Sequence, residues 1–194
     1  MLILASASPR RQELLRHARI LFKAHPADVP EVCRPNEAPG EFVRRLAYEK
    51  ARAVHNLLHP PAGTLVLGAD TAVVVNGEVL GKPSDEQEAA RMLRLLSGRQ
   101  HQVSTGVCLV GVDGESSAGF ADVRCETTQV FFSEMSEPEI ADYIATGEPM
   151  DKAGAYAIQG MASRWIPRVE GCYFNVVGLP VALVYRMLRE RGAV

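Results

Sequence analysis

LILASASPRRQELLRHA, residues 2–18, sets the pattern from which the rest of the chain is read. Residues 2–5 are aliphatic or small and read as a short buried strand. A loop runs through Ser8, and Pro9 stands at the first position of a helix reaching about residue 18, where a missing N–H is harmless and a fixed φ is helical. This strand-loop-helix unit opens an alternation of both element types.

Outward from it, residues 41–58 carry Val43, Leu46, Ala47, Ala51, Val54, Leu57 and Leu58 near helical spacing, with Lys50 on the same stripe. Residues 64–67 and 71–75 read as strand segments interrupted at Gly68-Ala69-Asp70. Asn76-Gly77 is a two-residue hairpin signal ahead of residues 78–80. Ser84-Asp85-Glu86-Gln87 matches a capping box opening a helix to about residue 96, stopped by Ser97-Gly98. Two β-rich runs, 101–112 and about 120–132, are joined across Asp113-Gly114. A second capping box, Ser136-Glu137-Pro138-Glu139, starts a helix ending near Thr146-Gly147, and a last helix covers about 180–191. The order predicts an α/β or α+β fold: an elongated mixed sheet with helices on both sides.

At 194 residues and 47% apolar content, the chain can bury a core and fits one domain over residues 1–194, or two lobes sharing a cleft. The linker-like stretches 59–63 and 26–40 are too short to separate independent domains. A net charge of -2 excludes a general nucleic-acid binder, so any bound anion must be held by local basic residues. Cys33, Cys108, Cys125 and Cys172 lie far apart without a C-x-x-C pair, which suggests neither a disulfide framework nor a zinc knuckle and fits a reducing compartment. The run 2–5 is too short for a signal sequence and no stretch reaches membrane-spanning length. The expectation is a soluble, cytoplasmic protein with no membrane or nucleic-acid partner.

Chemistry concentrates in a few segments. Ser6-Ala7-Ser8-Pro9-Arg10-Arg11 leads a strand into a helix N-terminus, where free N–H groups and two guanidinium groups suit an anion; alternatively Ser8 only caps the helix and the arginines are solvated. Lys50 has apolar neighbours three and four residues away, so either it finds an anionic partner or its stem follows the stripe to water. Asp70 and Thr71 set a carboxylate and a hydroxyl beside an apolar strand, able to bind a hard cation or accept a proton from water, or to cap a turn. Lys82, in Gly81-Lys82-Pro83, follows the hairpin, whose reversal could return it towards Asp70. Glu31 is a second candidate carboxylate ligand, since magnesium and manganese sites often use one or two carboxylates plus substrate phosphates. The segment from Gly147 to Gly160 packs charges, glycines and Gln159, whose amide offers the donor and acceptor that the imide edge of uracil or thymine requires. Ser97, Arg99 and His101 cluster before a strand and could reach phosphate or orient a carboxylate. His55 and His59 read as surface residues, and no nucleophilic triad is apparent.

The chain resembles the Maf family of nucleoside triphosphate pyrophosphatases over essentially its whole length. The matching stretches are residues 4–11, Leu46-Ala47-Tyr48-Glu49-Lys50-Ala51, Gly68-Ala69-Asp70-Thr71, Gly81-Lys82-Pro83, Ser97-Gly98-Arg99-Gln100-His101, 151–160 and Gly178-Leu179-Pro180. The resemblance implies two lobes around a central cleft, similar to inosine triphosphate pyrophosphatases, and a divalent cation, magnesium or manganese. It implies Asp70 as proton acceptor, Ser8, Arg10, Arg11, Lys50 and Lys82 at the phosphates, Asp70 with Glu31 at the metal, and Arg10, Thr71 and Gln159 in base choice. Ala-Tyr-Ala-Ile-Gln-Gly at 155–160 looks like the branch that acts on dTTP and UTP, whereas Cys172-Tyr173-Phe174 departs from the small and polar residues of the pattern. The implied partner is a nucleoside triphosphate, with a homodimer compatible. A pyrophosphatase for modified nucleotides and a nucleotide-binding regulator of cell division stand as alternatives.

Overall fold

A computed structural model describes residues 1–112 and 119–194; the Asp113-Gly114 junction lies outside the described residues. The opening pattern folds as read. Leu2–Leu4 forms β1, buried throughout. Pro9–His17 forms α1, and the Arg11 N–H donates to the Ser8 hydroxyl at 3.4 Å, satisfying one of the orphan donors of the first turn. β2 is the two-residue strand Lys23–Ala24, exposed and without an apolar pattern to announce it. It pairs in parallel with β1, which pairs in parallel with β3 on its other side, Ile3 facing Lys23 and Val66.

α2 spans Pro39–Leu58, starting two residues before the expected residue 41 because Pro39 fits the first helical turn. β3, Leu65–Val75, corrects an expectation: it runs unbroken through Gly68-Ala69-Asp70. Gly68 marks a close approach rather than a break. A Cβ there would lie 2.0 Å from the Ala47 carbonyl oxygen and 2.8 Å from the Ala51 nitrogen. Gly106, on β5 (Gln100–Val112), plays the same part, since a Cβ there would lie 2.2 Å from the Val43 carbonyl oxygen. Only glycine lets the helix backbone lie this near the sheet.

Asn76 and Gly77 both take positive φ, 51° and 82°, as a tight hairpin turn requires, and β4 (Glu78–Leu80) returns antiparallel to β3 with Glu78 opposite Val75. α3, Glu86–Leu96, is capped one residue later than expected: the Asp85 carboxylate, not Ser84, accepts from the Glu88 N–H at 2.8 Å. β6 is Gly119–Phe131 and α4 is Glu137–Ala145, where the Ser136 N–H donates to the Glu139 carboxylate at 2.8 Å as the capping box predicts. The expected loop beyond α4 is three 3-10 turns, Glu148–Asp151, Ala153–Ala155 and Met161–Trp165. Then come β7 (Arg168–Glu170), antiparallel to β6, α5 (Tyr173–Val177) and α6 (Val181–Glu190).

Among the described residues the strands form one mixed seven-stranded sheet in the order β2-β1-β3-β5-β6-β7, with β4 on β3, which is the mixed α/β class the element order predicts. The chain divides into two compact units, each discontinuous: Met1–Asp70, Thr105–Glu126 and Gly178–Val194, and Thr71–Ser104 with Thr127–Val177. The first packs Ala47, Ala51 and Val54 of α2 on Ile3, Ala5, Val66, Cys108 and Val110. The second packs α3 against α4 and buries Met92, Leu93, Leu96, Ile140 and Tyr143. No described helix is long and apolar enough to cross a membrane.

Candidate active site

The close packing of α2 on Gly68 and Gly106 brings Lys50 to Asp70 within the first unit. Lys50 donates from Nζ to Asp70 Oδ1 at 2.6 Å and to Glu31 Oε1 at 2.5 Å. Lys50 and Asp70 are 7% and 6% exposed, so the ammonium does not reach for water; it joins two carboxylates. Asp70 is therefore not a turn-capping residue but a buried group inside a strand. Burial pushes its carboxyl pKa up, while Lys50 and Arg11 pull it back. The net upward shift makes it a stronger proton acceptor than an exposed aspartate.

Arg11 braces the loop before α1. Its Nε donates to the Gly178 carbonyl at 2.8 Å, and its Nη1 donates to the Ala69 carbonyl at 2.8 Å and to Ser6 Oγ at 3.4 Å. Burial lowers the guanidinium pKa and the charges of Asp70 and Glu31 oppose that shift, so a cation stands beside the carboxylate pair. Ser6, buried, also accepts from the Ser8 N–H at 3.2 Å. Arg10, half-buried, lies near enough for its charge to act on Arg11. Ser8, Arg10, Arg11, Glu31, Lys50 and Asp70 thus all belong to the first unit.

Glu31 sits in a segment without regular structure, and Arg45 holds that segment to α2. Arg45 donates to the Val32 carbonyl at 2.9 Å, to both oxygens of Glu37 at 2.6 and 2.7 Å, and to Glu49 at 3.1 Å. The bidentate bond pulls the Glu37 pKa down to about 2. In sequence only the Arg45–Glu49 spacing of four hints at this anchor.

Two carboxylates gripped by one ammonium form a hard-oxygen donor pair, and among the described residues no cluster of three or more His, Cys, Asp or Glu side chains gathers to hold a metal alone. Such a pair fits magnesium or manganese, which complete their shells with water and substrate phosphate.

In the second unit, Thr71 is half-buried on β3, directly after Asp70 in the chain. Lys82 is exposed and makes no ion pair among the described residues; its turn is pinned where the Gly154 N–H donates to the Gly81 carbonyl at 3.0 Å. Gly154 has φ 69° and no room for a Cβ, which would meet Val73 at 2.9 Å. Gln159 is exposed in a turn closed by the Gly160 N–H donating to the Ala157 carbonyl at 3.0 Å. Ser97, Arg99 and His101, read as able to reach phosphate or orient a carboxylate, turn to separate protein partners, and among the described residues none of the three bonds a carboxylate. His101 is 2% exposed, its Nε2 hydrogen-bonds the Tyr156 hydroxyl at 2.8 Å, and its ring packs tilted against Phe132 and edge-on to Tyr156. Ser97 accepts from the Met135 N–H at 2.8 Å, and Arg99 donates to the Leu95 carbonyl at 3.2 Å.

Fold and site together define an α/β protein with a buried, charge-compensated carboxylate beside the loop that leads into α1. The fold is shared with the Ham1 protein of Staphylococcus aureus, at a TM-score of 0.53 and 15% identity over 98% of each chain. A family model described as Maf-like protein matches residues 1–191, and the chain belongs to that family. Among its relatives, the dTTP/UTP pyrophosphatase of Koribacter versatilis is 59% identical over 98% of this chain and 94% of the relative. Those of Syntrophomonas wolfei and a Geobacillus species are 50% and 49% identical, over 97% and 98% of this chain and 96% and 98% of the relatives.

Proposed function

We propose that this protein is a nucleoside triphosphate pyrophosphatase acting on dTTP and UTP, with residues 1–194 as one catalytic domain, releasing the nucleoside monophosphate and pyrophosphate. The observation that carries the reading is Asp70, buried with a raised pKa and bonded to Lys50, in a chain whose near full-length relatives bear that name.

Asp70 takes a proton from water as the water oxygen bonds to the α-phosphorus and the bond from that phosphorus to the bridging oxygen breaks. The electron pair leaves with pyrophosphate. Lys50 holds both carboxylates in line. Arg10 and Lys82 stabilise charge on the phosphoryl oxygens, and Ser8 with the first N–H groups of α1 adds donors. Arg11 contributes charge and holds the Ser6–Ser8 loop. A magnesium or manganese ion held by Asp70 and Glu31 would supply Lewis-acid neutralisation of the triphosphate. Gln159, with Arg10 and Thr71, selects the base, since its amide supplies the donor and acceptor that complement O4 and N3–H of thymine and uracil.

The test is pyrophosphate release with magnesium or manganese across dTTP, UTP, CTP, ITP and 7-methyl-GTP. Release from dTTP and UTP should dominate, and Asp70→Asn should lower turnover by about 10²–10⁴-fold. Near-normal turnover by Asp70→Asn at saturating metal would remove the proposed base. Absence of release from every triphosphate would favour the nucleotide-binding regulator instead.

A further inference from the structure

The turn that presents Gln159 is fastened on both sides by two residues outside the proposed machinery, Tyr143 at the end of α4 and Glu148 in the first 3-10 turn. The Ala157 N–H donates to Tyr143 Oη at 3.1 Å, and the Tyr143 hydroxyl donates to Glu148 Oε1 at 2.6 Å. The same carboxylate accepts from the Met161 N–H, at 3.1 Å to Oε1 and 3.2 Å to Oε2. Gln159 stands midway between the two anchored amides, two residues from each.

The clamp is itself rigid. Tyr143 is fully buried against Trp165, with ring centroids 5.6 Å apart. The Glu148 N–H donates to Thr146 Oγ1 at 3.2 Å, and that hydroxyl donates to the Tyr143 carbonyl at 2.6 Å. Burial, and then Glu148, push the Tyr143 pKa up, so its hydroxyl keeps its proton and stays a donor. Gly160 presses directly on the clamp: a Cβ there would lie 2.2 Å from Glu148 Oε2 and 2.3 Å from Oε1. A glycine without positive φ at this position is explained by that contact.

We infer that Tyr143 and Glu148 are positioning residues that fix the backbone of the turn 157–161, and with it the point from which the Gln159 side chain reaches the base. This rests on the proposal that Gln159 meets the base edge. A polar group discriminates between base edges only if the backbone that carries it is held at a fixed distance and direction from them. Loosening either anchor lets the turn shift under Gln159, so selectivity falls while phosphate handling persists.

The experiment compares kcat/KM for UTP and CTP, which differ on that edge, in the full chain and in Tyr143→Phe, Glu148→Gln, Gly160→Ala and Gln159→Ala. Tripolyphosphate, which has no base, serves as a competitive inhibitor reporting the phosphate site, and thermal unfolding checks folding. Each clamp variant should lower the UTP:CTP ratio by about tenfold through KM for UTP, with kcat and the tripolyphosphate inhibition constant held within about twofold. Should Tyr143→Phe, which leaves the part-buried Ala157 N–H without its acceptor, not fold, Gly160→Ala displaces the Glu148 carboxylate while leaving the Tyr143 hydroxyl in place. If Gln159→Ala loses selectivity but folded clamp variants keep it, the clamp is overturned and base reading by Gln159 stands. If Gln159→Ala keeps full selectivity, base reading fails and takes this inference with it. A parallel loss of tripolyphosphate binding in the clamp variants would mean a general structural role and would also overturn the proposal.

Discussion

Lys50 shows how one residue can hold a site together before any ligand arrives. Its ammonium is buried and its two carboxylate partners lie 19 and 20 residues away, so removing it takes from the buried Asp70 its bonded cation and leaves only the charge of Arg11 nearby. Lys50→Met should cost about 3–5 kcal/mol of stability near neutral pH, measured by urea unfolding. Without Lys50 the folded-state pKa of Asp70 lies further above its unfolded value, so proton uptake favours the folded state and the deficit should shrink as pH falls; a pH-independent deficit would contradict this. His101 has the opposite sign. Burial lowers its pKa from 6.5 to about 4. Between those values the unfolded chain binds a proton that the folded one refuses, so stability falls as pH drops through the window, by on the order of 3 kcal/mol. His101→Gln should flatten that part of the stability profile. Asp70, Glu31 and Lys50 each stand out in the sequence as chemistry-bearing residues. That one ammonium serves both carboxylates does not, because the meeting is made by packing.

At the level of elements, the features legible in sequence are those decided locally: the stripe of α2, the Asn76-Gly77 turn, the Ser136 capping box. Gly68 misleads because a glycine within an apolar run looks the same whether it ends a strand or makes room for a helix, and only Ala47 and Ala51 above it decide. β2 and β7 are too short and exposed to carry a period, and the 3-10 turns after Thr146 follow tertiary anchors such as Glu148. The glycine contacts give a direct test. Gly106→Ala pushes against α2 backbone atoms that cannot rotate away, so it should destabilise by at least the upper part of about 1–3 kcal/mol in chemical denaturation. It should also lower pyrophosphate release, because Lys50 rides on the displaced helix. Unchanged stability would mean that α2 shifts freely, and the placement of Lys50 would need another cause.

For the whole molecule, the mixed sheet is foreseeable from the order of strands and helices, whereas the two discontinuous units are not, since they depend on which distant strands become neighbours. Because Lys50 already compensates Asp70 and Glu31, the fold should not lean on a metal. Chelation should therefore stop pyrophosphate release yet change stability by less than about 1 kcal/mol, or about 2–4 °C in thermal midpoint at this size. Turnover that survives chelation would sink the proposed cation requirement. The first unit also binds its own history. The Arg11 bond to the Gly178 carbonyl joins residues 167 apart, so a ribosome makes the Ser6–Ser8 loop early and its fastening only 167 residues later. A nascent chain that has not yet emitted Gly178 has the Arg11 bonds to Ser6 and Ala69 within reach but not the last one, so the brace at the end that begins synthesis is completed late.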